Sequence, residues 1–453
     1  MSTTSTPVSP TGAGQLGLDP LWERITSAFD DADWLLAQRK EALASFRATP
    51  LPSRVSHLWR YTDPGLFVVD DGAGARTGPG AEGEIEFPIE LRMEVEGSVV
   101  AGAAYLCDRS GIMAMLDPQM SAAGVVVMDL REATRKHPGL VRERLGALIG
   151  PAFGKFEAYN SAVWSTGLLI YVPKGVDISK PIHVMSNSTD PALPLVQRLL
   201  VVVEDSATLN LIDEYGDGET GACGPVQVNS MVEMWIGAGA RVKYAPIQNW
   251  GTGTVSYFTQ RAQLQADAQI ETVMTTLGGR VGKVDCGAIL AGRGAESNMF
   301  GLAIGGTRQQ FDHHTAHDHR SGNTRSDLHF KVALRGRAHS AYTGLIRIED
   351  KAPFCEAYQE NRNLLLSSGA RAESIPELEI LNNEVRCTHG ATVGKVNPDE
   401  IFYLGARGID PAEAVRLIVT GFVDPILAHI PEAARDRIHR EVLHHLGEAQ
   451  DDS

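Results

Sequence analysis

The chain has 453 residues, long enough for two or three domains or one elongated fold. Its 43% hydrophobic and 21% charged residues are ordinary for a globular protein, and no apolar run reaches the roughly 18 residues of a membrane helix. A net charge of -15 argues against a duplex nucleic-acid binder, which needs a basic face, and five scattered cysteines (107, 223, 286, 355, 387) without a CxxC pair make neither a disulfide framework nor a structural zinc site; they fit a reducing cytosol.

Residues 1–18 read as a disordered tail of Ser, Thr, Pro and Gly, without the basic start and apolar stretch of a secretory signal. The GAGQLG at 12–17 matches a dinucleotide fingerprint, but no strand precedes it. Residues 19–160 form a helical and mixed region. From 20 to 50, apolar residues at Leu21, Ile25, Phe29, Trp34 and Leu35 keep a helical period, and Asp19–Pro20 suits a helix start. LWRYTDP (58–64) and the Gly-rich linker DDGAGARTGPGAEGE follow, then strand-like GVVVMDL (124–130) and a helical run broken near Pro138.

From 161 to 398 the pattern changes to β-branched alternation. A short turn recurs, built of small or polar residues around Ala207, Ala240, Ala268, Ala295, Ala338 and Ala370. The steps are 33, 28, 27, 43 and 32 residues, the mark of a stacked β architecture with one coil per step. The pattern favours a β-helix or solenoid over a β-sandwich or paired jelly rolls, which use similar strands. The 43-residue step reads as an extra coil or an excursion. Within it, FDHHTAHDH gathers His313, His314, His317 and His319; in a strand, 313, 317 and 319 share one face, a plausible zinc or iron set. The plainer reading is a solvated edge or a subunit contact. GGRVGKV (278–284) lacks the first Gly and the Ser or Thr of a phosphate loop, so the chain shows no nucleotide site of its own. The sequon Asn187–Ser188–Thr189 carries no weight without a signal.

Residues 399–453 are helical again. Asp410 caps, Pro411 opens and Glu413 completes a capping box, Asp424–Pro425 restart a second helix, and PEAARDRIHREVLHHLG makes a third. Their apolar faces call for a partner protein or for packing back onto the stack. Near the end of the β region, Cys387 and His389 stand one residue apart. In an extended strand they point to one side. Thiolate and imidazole suit iron, while a buried small hydrophobe is the commonest fate of a free cysteine.

The run from NLLLS (363–367) through THGATVG to YLGARG closely resembles the SufB/SufD family of iron–sulfur cluster assembly scaffold proteins, as do LWRYTDP, LLIYVPKGV (168–176), FDHHTAHDH and AYTGLIRI (341–348). The likeness spans about 60 to 425. Within the family it is SufD-like: Gly390 follows the histidine where SufB-like chains carry Glu, and Asn361, Arg362 and Asn363 stand where those chains place a cysteine. The resemblance implies a mainly β fold, a right-handed parallel β-helix core with helical terminal regions. It implies a non-catalytic scaffold in the cytosol, and a complex with a SufB-like subunit and two copies of SufC, an ABC-type ATPase docked on the C-terminal helices. A cysteine desulfurase system is a further partner, and self-pairing of the isolated chain is left open. The cofactor implied is a transient iron–sulfur cluster at the subunit interface, with His389 as a candidate ligand and Cys387 beside it. His313 and His317 remain weaker metal candidates. A solitary solenoid enzyme such as a polysaccharide lyase is the competing class, and the sequence offers no ladder of acidic ligands for it.

Overall fold

The computed structural model describes residues 18–67, 87–107, 111–188, 194–217 and 226–447. The tail with its GAGQLG, the Gly-rich linker, Cys223 and Thr189 of the sequon fall outside these residues. Helices α1 (Asp19–Ala28) and α2 (Asp33–Ala48) replace the single helical run expected from 20 to 50. They separate where Asp31 turns inward to take the guanidinium of Arg39 at 2.9 Å, with both side chains buried. Short elements follow: α3 (Ile89–Glu96), β1 (Gly102–Cys107), β2 (Gly111–Leu116), α4 (Pro118–Ala122), β3 (Val126–Asp129), α5 (Leu130–Lys136), α6 (Pro138–Val141) and α7 (Lys155–Val163).

The solenoid then runs through β4 (Thr166–Val172), β5 (Asp177–Asn187), β6 (Leu195–Val203), β7 (Thr208–Gly216), β8 (Gln227–Ile236), β9 (Arg241–Asn249), β10 (Val255–Leu264) and β11 (Gln269–Thr276). It continues through β12 (Val281–Leu290), β13 (Glu296–Gly305), β14 (Gln310–His319), β15 (Arg325–Leu334), β16 (His339–Ile348), β17 (Glu356–Leu365), β18 (Arg371–Ile380) and β19 (Arg386–Lys395). Even-numbered strands pair in parallel in one sheet and odd-numbered strands in the other, so each coil gives one strand to each sheet. β1 adds in parallel beside β5 and carries β2 antiparallel, while β3 adds antiparallel beside β4.

Period-2 alternation explains the interior. In the early coils the inward positions are Leu, Ile and Val: Leu168 and Ile170, Leu199 and Val201, Leu209 and Leu211. Burying a side chain of this kind is worth about 1.5–3 kcal/mol. The backbone bonds that stack the coils identify the recurring turn. Arg241, Gln269, Glu296, Arg325, Glu356 and Arg386 N–H groups donate to the carbonyls of Ala207, Ala240, Ala268, Ala295, Thr324 and Cys355. One turn column therefore holds Ala four times, then Thr324, then Cys355. Ala338 and Ala370 belong to the opposite column, where Arg371 N–H donates to Ala338 O. The 43-residue step is thus neither an extra coil nor an excursion: it jumps from one column to the other, and the His-rich segment is the ordinary strand β14.

The C-terminal helices are α8 (Pro398–Gly405), α9 (Pro411–Leu427) and α10 (Glu432–Gly447). Asp410 caps α9, its carboxylate accepting from Ala412 N at 2.9 Å. The expected break at Asp424–Pro425 does not occur, because α9 continues through Pro425. Its apolar stripe explains why: Val419, Val423, Ile426 and Leu427 pack with Ile438 and Val442 of α10 on Ile212, Ile247, Val273, Leu302 and Ile304, on the outer face of the odd-strand sheet. That burial outweighs the roughly 3 kcal/mol cost of a mid-helix proline. Arg437 of α10 pairs with Glu214, which with Glu94 of α3 holds His183 from either side. No helix among the described residues is long and apolar enough to cross a membrane.

Candidate functional site

The last coil differs from those before it. β18 and β19 end their sheets, so each has one unpaired edge. Among the described residues no further coil follows them, and Ile380 of β18, Leu381 just after it and Val393 of β19 are exposed at this end. Register fixes the orientation of β19: Cys387 lies across from Ala357 and His389 from Gln359, whose side chains are buried in the interior. Cys387 and His389 therefore share the inward face, at the open mouth of the solenoid.

Their environments differ. His389 is exposed, while Cys387 is half-buried against Ile346, Ile348, Ala352, Cys355 and Ala357. Burial pushes the Cys387 thiol up to about 11, so near neutral pH it keeps its proton unless a metal displaces it. Cys355, in the turn column, is sealed; Thr324 Oγ1 lies 3.1 Å from its sulfur. Nothing lies within 4 Å of where a Cβ on Gly390 would sit, so the outer face of β19, opposite His389, is open as well. His389 and Cys387 are thus two donors at an open seam. Among the described residues, no three His, Cys, Asp or Glu side chains gather where they could hold a metal ion.

The His-rich strand β14 is divided by its own alternation. His313, His317 and His319 point inward and are buried. His313 Nε2 lies 3.0 Å from Thr276 Oγ1, His317 Nε2 3.1 Å from Ser297 Oγ, and His319 Nε2 2.9 Å from Ser326 Oγ. Burial pushes His313 and His317 down to about 3 and His319 to about 4, leaving neutral imidazoles tied to separate hydroxyls. The structure does not bring His313 or His317 to the open mouth, and the solvated edge expected for the segment is absent because β14 lies between β12 and β16.

The outward residues of β14 account for another motif. Thr62 of LWRYTDP donates to Asp312 Oδ2 at 2.6 Å. Lys283 Nζ donates to the same oxygen at 2.9 Å and to Leu58 O at 2.6 Å, with its charge over the Trp59 ring. Burial alone would raise the Asp312 carboxyl, but the hydrogen bond with His314 and the Lys283 charge hold it well below the usual carboxylate range. LWRYTDP thus closes over the buried Lys283–Asp312 pair of the solenoid with a hydroxyl, a carbonyl and a ring, and this joins the N-terminal segment to the coils. Sequence reading missed Gln359 beneath His389; the signal available was the coil step, which places residue 359 one coil before 389.

A family model for the SufBD core domain of the SUF iron–sulfur cluster assembly system matches residues 184–422, and one for the SufBD N-terminal region matches residues 104–184. The chain belongs to the SufBD family. Its similarity to the Bacillus subtilis iron–sulfur cluster assembly protein SufB is 26% identity over 418 residues, 90% of this chain and 88% of that protein. SufBD family proteins of Staphylococcus haemolyticus and Staphylococcus epidermidis are also 26% identical, over 416 residues, with the same shares of each chain. This SufBD protein is accordingly an iron–sulfur cluster assembly scaffold with a parallel β-solenoid core, and the histidine at its open end gains a chemical context.

Proposed function

We propose that the chain is a SufD-type subunit of a Suf complex. It pairs through the open end of its solenoid with a SufB-like subunit and engages SufC-like ATPases through its helical region, 399–453. At the shared seam it offers His389, with Cys387 behind it, to the iron–sulfur cluster being assembled. The cluster is cargo, and the energy-supplying turnover resides in the ATPase. The observation that carries this reading is His389, exposed on the free edge strand β19 at the end of the solenoid where Ile380, Leu381 and Val393 are also exposed. Unpaired strand edges and exposed apolar side chains together favour addition of another chain. Imidazole and thiol are appropriate donors to iron, and two donors are too few, so a cluster there draws the rest from the partner. Gly390 and the Asn361–Arg362–Asn363 stretch support the SufD type over the SufB type.

His389→Ala is the test. The variant should fold as the parent does, judged by circular dichroism, while the complex co-purified with it loses the visible absorption and iron of the cluster. Normal cluster content would sink the ligand assignment. For the ATPase, α9 and α10 spend their apolar faces on the solenoid, which leaves Phe402 (78% exposed), Tyr403 and Leu417 as the apolar surface of this region. Replacing Phe402 and Tyr403 by Ala should weaken co-purification of the ATPase; undiminished recovery would move docking elsewhere.

A further inference from the structure

The interior layer directly beneath His389 is polar, unlike the layers of the early coils. It holds Gln359, Asn361 and Asn363, all inward on β17 and all buried. Asn363 Nδ2 donates to Asn361 Oδ1 at 2.7 Å and to Thr392 O of the terminal strand at 3.1 Å. Gln359 reaches across the interior, and its Nε2 donates to Gly344 O of β16 at 3.2 Å. Gly344 is required for this reach, because a Cβ there would sit 2.4 Å from Gln359 Nε2. The other end of the amide is unmatched: Gln359 Oε1 is buried without a hydrogen-bond partner, in a side chain 1% exposed. A buried acceptor left unpaired costs about 1–3 kcal/mol, so its retention calls for a reason. The residue across from Gln359 in the next strand, on the same face, is His389.

We infer that Gln359 is the positioning residue for His389: its Oε1, which no group meets in the structure, accepts a hydrogen bond from one ring N–H when the exposed imidazole turns inward over it, fixing the tautomer and aiming the bare nitrogen at the seam. Ligating histidines gain orientation and basicity when the second ring nitrogen donates to a fixed acceptor. Neighbouring parallel strands run about 4.8 Å apart, so side chains that share a face and a register position lie within reach of each other. Anchored through Nε2 to the opposite sheet, Gln359 presents its oxygen in one orientation. This inference deepens the proposed role of His389 and rests on it.

The test reads the ring directly. In the full-length chain labelled with 15N-histidine, at a pH where the imidazole is neutral, the His389 signals are those lost in His389→Asn. The parent should show one protonated and one bare ring nitrogen, two widely separated resonances. Gln359→Met keeps length and burial without the acceptor, and the two resonances should move toward each other as the tautomers exchange. In the assembled complex the same variant should hold iron about tenfold less tightly. Identical His389 resonances in Gln359→Met and parent overturn the inference. If Gln359→Met does not fold, Gln359→Glu decides instead: it keeps an oxygen at the same reach, so one tautomer supports the assignment and a mixture overturns it. Normal cluster content in His389→Ala is a separate outcome; it removes the ligand role and leaves the ring measurement standing.

Discussion

His313 and His389 occupy inward-facing positions of the same solenoid, five strands apart, and nothing in their residue type separates them. His313 sits on β14, flanked in its sheet by β12 and β16, and burial keeps it neutral against the hydroxyl of Thr276. His389 sits on β19, flanked on one side only, and is exposed. An identical strand pattern yields a structural histidine inside the stack and a candidate ligand at its end. What differs is whether another coil follows. In a solenoid each coil is covered by its neighbours, so the terminal coil is where interior chemistry becomes available to a second chain.

The strongest way to break this contrast is on the outer face of β14. Asp312→Ala removes the counter-charge of a lysine that is 1% exposed and leaves Lys283 against Leu58 O, His314 and the Trp59 ring. Losing one partner of a buried pair typically costs about 3–5 kcal/mol. Chemical denaturation of the isolated chain should show a loss of that size, with the LWRYTDP segment becoming accessible to proteases. A change below about 1 kcal/mol would mean that this lock contributes little to holding the N-terminal segment.

At neutral pH that is the largest effect; on acidification the acid limb of stability follows. His313 and His317 have folded values near 3, well below the ordinary 6.5 of the unfolded chain. Between pH 6.5 and 3 the unfolded chain binds protons that the folded chain refuses, so stability falls as pH falls. The slope approaches about 1.4 kcal/mol per pH unit for each histidine, because each binds one proton on unfolding. Replacing both by Gln, which keeps a hydrogen-bonding end, should flatten denaturation midpoints plotted against pH in this window. An unchanged slope would show that the two imidazoles can charge in place.

Much of this was legible beforehand because it follows from periodicity. The β-branched alternation after residue 161 and the recurring turn alanines predict stacked coils, and the parity of β14 places 313, 317 and 319 on one face. The rest depends on how the coils stack. The turn column changes residue type from Ala295 to Thr324 and Cys355, so the step from Ala295 to Ala338 crosses columns and mimics an excursion. The side of the strand that faces solvent is also absent from a single-strand pattern. Whether His317 meets Ser297 or water depends on how β13 folds across the interior from β14, and whether Asp312 is solvated depends on Thr62, 250 residues earlier in the chain. By local rule Pro425 marks a break, and the packing of α9 on the odd-strand sheet overrides that rule. At the site itself, 387 and 389 sharing a side came from the sequence, whereas the free edge and the amide beneath came from stacking.

The smallest expected effect sharpens the comparison most. His389→Ala should cost the isolated chain only about 1 kcal/mol, because the ring is exposed and its loss leaves just the Gln359 oxygen unmatched. His313→Ala removes a buried ring packed 4.8 Å from Phe330, orphans the Thr276 hydroxyl and leaves a cavity, and should cost about 2–4 kcal/mol. Urea denaturation of the two variants side by side, with equal m-values, measures the difference. Were His389→Ala to cost as much as His313→Ala, the imidazole would be serving the stack rather than the seam. The terminal coil would then be another interior layer, and the surface offered to a partner would have to be sought on the helices.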